Sequence, residues 1–294
     1  MGLSKGVDES ATIERIDAFC DAVPRRRTRA EEHGPLVLFV PTGPGWPYYA
    51  RPRRLAEISG GTAASGGTAA SGDTLGTITA EDIRAVRARQ RELLIPESFE
   101  WIDEAAPGMT AAAPGAGLAA RAHPLMVLSE LAPAPVTEPG ITVRLVSPDE
   151  PELDRIWAVP AVAFGHPGTR AGLAGTIERD KIAANHDEGA TDMLRERLRS
   201  GQSVVAAAFG PDGPLAAGSC QPLGGVAEIT GVGVLPSARR TGLGGAVTAT
   251  LAGEALRRGV QTVFLSASDD DVARVYARLG FERIGTAMIA EPDS

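Results

Sequence analysis

The stretch that most constrains this chain covers residues 226–259. It passes from the alternating segment VAEITGVGVLP through SARRT into the apolar run GLGGAVTATLAGEALRRG, with no connecting residues to spare. A strand that opens straight into a long helix sets the helix start against a sheet edge, which calls for a layered fold of helices on a sheet. The same junction can hold an anion. The first amides of a helix have no partner within it, and they carry the positive end of its dipole. Two phosphate loops are excluded. A Walker loop needs GxxxxGK[ST], and the lysines of this chain are Lys5 and Lys181, both far from the turn. A dinucleotide fingerprint needs GxGxxG at a helix start, whereas GVGVLP lies inside the strand and ends in Pro236.

The elements around this junction read in order. ITVRLVS alternates as a strand, DEPELDRIWAVPAVAFG carries helical spacing, and DMLRERLRSG is a charged helix ending at Gly201. SVVAAAFG and PLAAGSCQPL are strands joined by the hairpin turn GPDGP. After the long helix come strand QTVFLSAS, helix DDDVARVYARL and strand FERIGTAMIA. The first half repeats a blurred version: helix TIERIDAFCDAV, strands PLVLFVPT and WPYYARP, helix TAEDIRAVRARQRELL, strand SFEWIDE, a weak helix in PGMTAAAPGAGL and strand ARAHPLMVL. The basic run PRRRTR at 24–29 reads as a solvated helix end. LAPAPVTEPG, residues 131–140, has three prolines and no period, so it reads as a linker between domains 1–135 and 141–294. The fold class is α/β (α+β): two similar domains, each a mixed, mostly antiparallel sheet flanked by helices.

Arg239-x-x-Gly242-x-Gly244 after a strand, and Tyr276-x-x-x-Gly280-Phe281 one strand and one helix later, resemble the motifs of the GNAT superfamily of acyl-CoA N-acyltransferases. The resemblance covers residues 141–290 and reaches the first half by topology. It implies acetyl-CoA as acyl donor, with no metal. Val232, Gly233 and Val234 would bond the pantetheine arm, and Arg239, Arg240, Thr241, Gly242, Leu243, Gly244 and Gly245 would cradle the pyrophosphate. It makes Tyr276 the general acid for the departing thiolate, on the buried stripe Val272, Val275, Tyr276, Leu279. Against that role stands the ordinary one of a core tyrosine. It also marks Glu228 as a general base. Period-2 alternation places Glu228 with Val226, Thr230 and Val232 on one strand face, where a carboxylate is costly unless exposed, paired or functional. A salt-bridged structural glutamate is the alternative. Asp269 stands where relatives carry asparagine, and with Asp270 and Asp271 it makes a capped helix start. His166 and His186 fall where this family builds its acceptor pocket, but lone histidines are more often surface residues.

The implied activity is transfer of an acetyl group to an amine of a small molecule by direct attack. The alternatives are a non-catalytic acyl-CoA-binding module and a protein or peptide N-acetyltransferase. A net charge of −8 argues against nucleic acid or an anionic membrane as partner. Cys20 and Cys220 make no disulfide framework, the four histidines lack metal-ligand spacing, and no apolar run reaches membrane-spanning length, all as expected of a cytoplasmic protein. A homodimer is compatible with these features. The second glycine-dense stretch, GGTAASGGTAASGD at 60–73, is a doubled hexapeptide without arginine. Ordering so flexible a loop around a pyrophosphate would cost roughly 1–2 kcal/mol per fixed residue. One coenzyme per chain is therefore expected.

Overall fold

A computed structural model describes residues 8–43, 48–54, 77–185 and 188–292. The GGTAAS repeat and His186 lie outside the described residues. Two compact units divide the chain: residues 1–123 with 285–294, and residues 124–284. The boundary read from the sequence, between 135 and 141, falls inside the second unit. The proline-rich linker is part of that unit, because Leu131 packs on its core and Pro135 lies against its long helix.

The first unit contains α1 (Glu9–Arg25), β1 (Thr28–His33), β2 (Leu36–Pro41), β3 (Ala50–Pro52), α2 (Ala80–Glu92), β4 (Phe99–Ile102), α3 (Pro107–Ala112) and the start of β5 (Leu118–Leu128). Strands β1, β2 and β3 pair antiparallel, and β3 meets β4 in parallel at Ala50 and Phe99. The end of β11 (Phe281–Pro292) then pairs antiparallel with β4, Ala287 opposite Ile102 and Ala290 opposite Phe99. Leu36, Leu38, Ile83, Val86, Phe99 and Trp101 form the core with Met288. Strand β1, TRAEEH, is a departure from the sequence reading, since part of it was assigned to a solvated helix end. Its partner on one side alone is β2, and its Glu31 accepts two hydrogen bonds from Arg89 at 2.9 and 3.2 Å. Such a polar edge strand has no apolar alternation to read.

The second unit runs from the remainder of β5 through β6 (Thr142–Leu145), α4 (Leu153–Phe164), α5 (Thr176–Ala183), α6 (Glu188–Arg199), β7 (Val204–Gly210), β8 (Gly213–Leu223), β9 (Val226–Val234), a 3-10 turn (Pro236–Ala238), α7 (Leu243–Arg257), β10 (Thr262–Ser266) and α8 (Asp270–Ala277) into the start of β11. Its sheet order is β6-β7-β8-β9-β10-β5. Every pairing is antiparallel except β9 with β10, which is parallel. The period-2 rule is visible in β7: Val204, Ala206 and Ala208 pack with α7, while Val205 and Ala207 pack with α4. Helix α5, TIERDKIA, has no apolar stripe and was not foreseen. It is fixed instead by Glu178, which accepts from the Gly175 amide at 2.7 Å, and by the buried Arg179, which donates to the carbonyls of Asp212 and Pro214 at 2.8 Å.

The elements α1, β1–β3, α2, β4, α3, β5 recur in the same order as α6, β7–β9, α7, β10, α8, β11. The two halves therefore share an α/β plan of a mostly antiparallel sheet flanked by helices.

Candidate functional site

The site begins where β9 leaves its neighbours. Parallel pairing with β10 ends at Glu228 opposite Phe264, yet β9 continues to Val234. On its other edge the register with β8 shifts between Ala217–Gly233 and Ser219–Thr230, so Gly231 and Val232 bulge out of the ladder. Gly231 has φ +63°, the left-handed conformation that such a bulge asks of glycine. Val232, Gly233 and Val234 thus lie on the stretch of β9 beyond its pairing with β10. Gly233 also lets α4 close in, since a Cβ there would stand 2.8 Å from Pro160 Cα.

Past the 3-10 turn the chain bends through Arg240, φ +71°, and Gly242, φ +82°, into α7. Gly242 is the N-cap and no side chain caps the helix. The amides of Leu243, Gly244 and Gly245 have no acceptor among the described residues. Thr241 turns its hydroxyl back to the Ala238 carbonyl at 2.6 Å. These open amides are what an anion needs. The matching helix of the first unit is closed. Thr79 and Asp82 form a reciprocal capping box on α2, with Glu81 adding a second negative charge in its first turn.

Arg239 takes a different position from its neighbours. Its guanidinium donates to the carbonyls of Val234, Arg170, Ala163 and His166 at 3.4, 3.2, 2.9 and 2.6 Å. It has no carboxylate partner among the described residues, and partial burial lowers its pKa from the usual arginine value. Arg240 makes no such contacts among the described residues.

Glu228 sits at the last position where β9 pairs with β10. It is half-buried, with no hydrogen-bond or ion-pair partner among the described residues, and desolvation pushes its carboxyl up to about 7. Ala227 and Ile229 point to the α7 core, so Glu228 and Thr230 face the opposite side. There Gln221 stands directly across from Glu228, and the Ser219 and Thr230 hydroxyls are 3.0 Å apart. This polar patch was not anticipated beyond Glu228. The alternation of β9 gave Thr230, but the β8 residues required knowledge of the register.

Tyr276 is 9% exposed on α8, tilted against the Phe281 ring at 6.1 Å, and burial pushes its phenol up to about 12. Its hydroxyl has no hydrogen-bond partner among the described residues. Asp269 acts as N-cap of α8, accepting from the Val272 amide at 2.8 Å. Gly280, φ +93°, has the linker directly behind it: a Cβ there would lie 1.7 Å from the Glu130 carbonyl oxygen. His166 places Nδ1 2.9 Å from the Val162 carbonyl at the end of α4. Among the described residues no group of three His, Cys, Asp or Glu side chains could hold a metal, and no helix is long and apolar enough to cross a membrane.

Residues 176–281 match the acetyltransferase (GNAT) family. Among solved structures the chain is similar to a GCN5-related N-acetyltransferase from Kribbella flavida, at 23% identity over 96% of each chain with a TM-score of 0.64. It also matches a tandem GNAT protein from the clavulanic acid biosynthesis pathway at 16% identity, covering 88% of this chain and 79% of that one, with a TM-score of 0.49. No curated protein matches it significantly.

Proposed function

We propose that the chain, whose residues 176–281 match the acetyltransferase (GNAT) family, is an N-acetyltransferase. It moves an acetyl group from acetyl-CoA to an amine of a small molecule. The observation that carries this reading is the junction of β9 and α7: a strand freed from its neighbour, leading directly into a helix start whose amides have no cap.

In this proposal the amides of Leu243, Gly244 and Gly245 receive the pyrophosphate, with Arg240 and Thr241 at its rim. Arg239 spends its donors on the carbonyls of Val234, Arg170, Ala163 and His166 and so takes no part in holding the pyrophosphate. The backbone of Val232, Gly233 and Val234, unpaired with β10, aligns the pantetheine arm. Glu228 takes the proton of the acceptor ammonium, directly or through a water, because a carboxyl titrating near 7 is matched to that task at neutral pH. The freed amine attacks the thioester carbon, and a strand amide near Val234 stabilises the oxyanion. As the carbon–sulfur bond breaks, Tyr276 protonates the departing thiolate. A phenol titrating near 12 is fully protonated at neutral pH and so holds the proton until that moment. The products are the N-acetyl amide and the coenzyme thiol, with no covalent enzyme intermediate.

The test is thiol release from acetyl-CoA across a panel of small amines and peptide amino termini. Turnover with a small amine supports the proposal. Turnover confined to peptides overturns the acceptor class, and tight acetyl-CoA binding without turnover supports a binding module instead.

A further inference from the structure

One residue of the turn, Arg239, sends every hydrogen bond it makes among the described residues to a carbonyl. Two of those carbonyls, Ala163 and His166, lie at the last turn of α4 and just past its C-cap, Gly165. A third, Arg170, lies further along the segment that leads to α5. The fourth, Val234, is the last residue of β9. Arg239 therefore joins the negative end of α4 to the root of the turn whose amides are open. With no carboxylate among its partners in the described residues, its charge is held by backbone carbonyls.

The same segment is tied to the turn at two more points. The Gly172 amide donates to the Pro236 carbonyl at 3.0 Å, and the Ser237 amide donates to the Ala174 carbonyl at 2.9 Å. Residues 163–174 thus run along residues 234–239, and Arg239 supplies the bonds for the first half of that run. The segment ends in solvent-facing apolar side chains, Phe164 at 63% and Leu173 at full exposure.

We propose that Arg239 is a positioning residue that couples the coenzyme turn to the segment 163–170, so that filling the turn orders that segment. This rests on the acetyl-CoA reading above. Its physical basis is that an anion on the turn amides restrains the backbone from which Arg239 projects, and a restrained guanidinium holds the three carbonyls of the segment, Ala163, His166 and Arg170, more firmly. A guanidinium suits the task because its fork of donors reaches several carbonyls at once, as a lysine cannot.

Hydrogen exchange of the backbone amides between 164 and 172, measured with and without acetyl-CoA, tests it in the wild type, Arg239→Lys and Arg239→Gln. In the wild type, saturating acetyl-CoA should slow exchange there by about tenfold or more. In Arg239→Gln the segment should exchange faster at rest and no longer respond, while the calorimetric Kd for acetyl-CoA stays within about threefold and Tm is retained through the Gly172 and Ala174 bonds. Arg239→Lys, keeping the charge and fewer bonds, should fall between. Loss of affinity by more than about tenfold in Arg239→Gln would make the guanidinium a direct coenzyme ligand and overturn the inference. So would a wild-type segment indifferent to bound acetyl-CoA. Failure of the wild type to bind acetyl-CoA at all would instead overturn the underlying reading.

Discussion

At the scale of single residues, Glu228 ties chemistry to stability. Its carboxyl titrates near 7 in the folded chain and near 4.5 as an unperturbed group. Between those values the unfolded chain releases the proton and the folded chain keeps it, so stability falls as pH rises from about 4.5 to 7 and the full penalty stands above. Glu228→Gln should remove that slope, raising Tm at pH 8 and leaving it unchanged at pH 4. In the same variant the rise of kcat/KM through an apparent pKa near 7, about tenfold per pH unit on the acid side, should disappear. An unchanged profile would mean that another group accepts the proton. Tyr276→Phe should lower kcat on the order of 10²-fold with acetyl-CoA affinity nearly constant. A parallel loss of affinity, rate and Tm would make it a core tyrosine. The strand-face position of Glu228 was legible in the sequence from the alternation of β9. The neighbouring polar residues Gln221 and Ser219 were not, since they are set by a cross-strand register that a bulge alters.

At the scale of elements, the contrast between α7 and α2 is one of capping. Gly242 leaves α7 open, and Thr79 with Asp82 closes α2. Gly244 faces Val234, with a Cβ placed 3.2 Å from its Cγ2. Gly244→Val should therefore press the turn away from its ligand and weaken acetyl-CoA binding at least tenfold, about 1.4 kcal/mol. Calorimetry showing unchanged affinity in a folded variant would remove the phosphate role from the turn. The glycines of this turn looked alike in the sequence, yet they differ in what they admit. Gly242 supplies a positive φ, and Gly245 makes room for Pro135, whose Cγ would lie 3.0 Å from its Cβ. Strand–turn–helix order was readable because each element carried its own period, whereas α5 and β1 lack a period and depend on Arg179 and on pairing with β2.

At the scale of the whole chain, the two halves share an order of elements but not a ligand-ready helix start. Calorimetric titration with acetyl-CoA should saturate near one equivalent per chain, and Gly244→Val should abolish that event. Two equivalents would show that the capping box on α2 does not exclude a coenzyme. The domain plan was legible from the repeated order of elements, but the boundary was misplaced because composition marks a proline-rich stretch without revealing what it packs on. Nor did the sequence disclose where the closing strands go. The sheet of the first unit receives residues 287–290 beside β4, and the sheet of the second receives residues 125–127 beside β10.

That arrangement bears on how the protein is made. During synthesis β4 emerges long before the strand that covers its edge, so Phe99 and Trp101 must wait, incompletely sheltered, until residues 287–290 have left the ribosome. Folding of the first unit is then limited in its last step by closure of a very long loop. A chain stopped after Ile284 should retain exchange protection in β7, β8 and β9 while losing it in β4, and Trp101 fluorescence should shift to the red. The nascent protein is accordingly most exposed to aggregation and to chaperone capture at an edge that an early strand creates and that a much later one conceals.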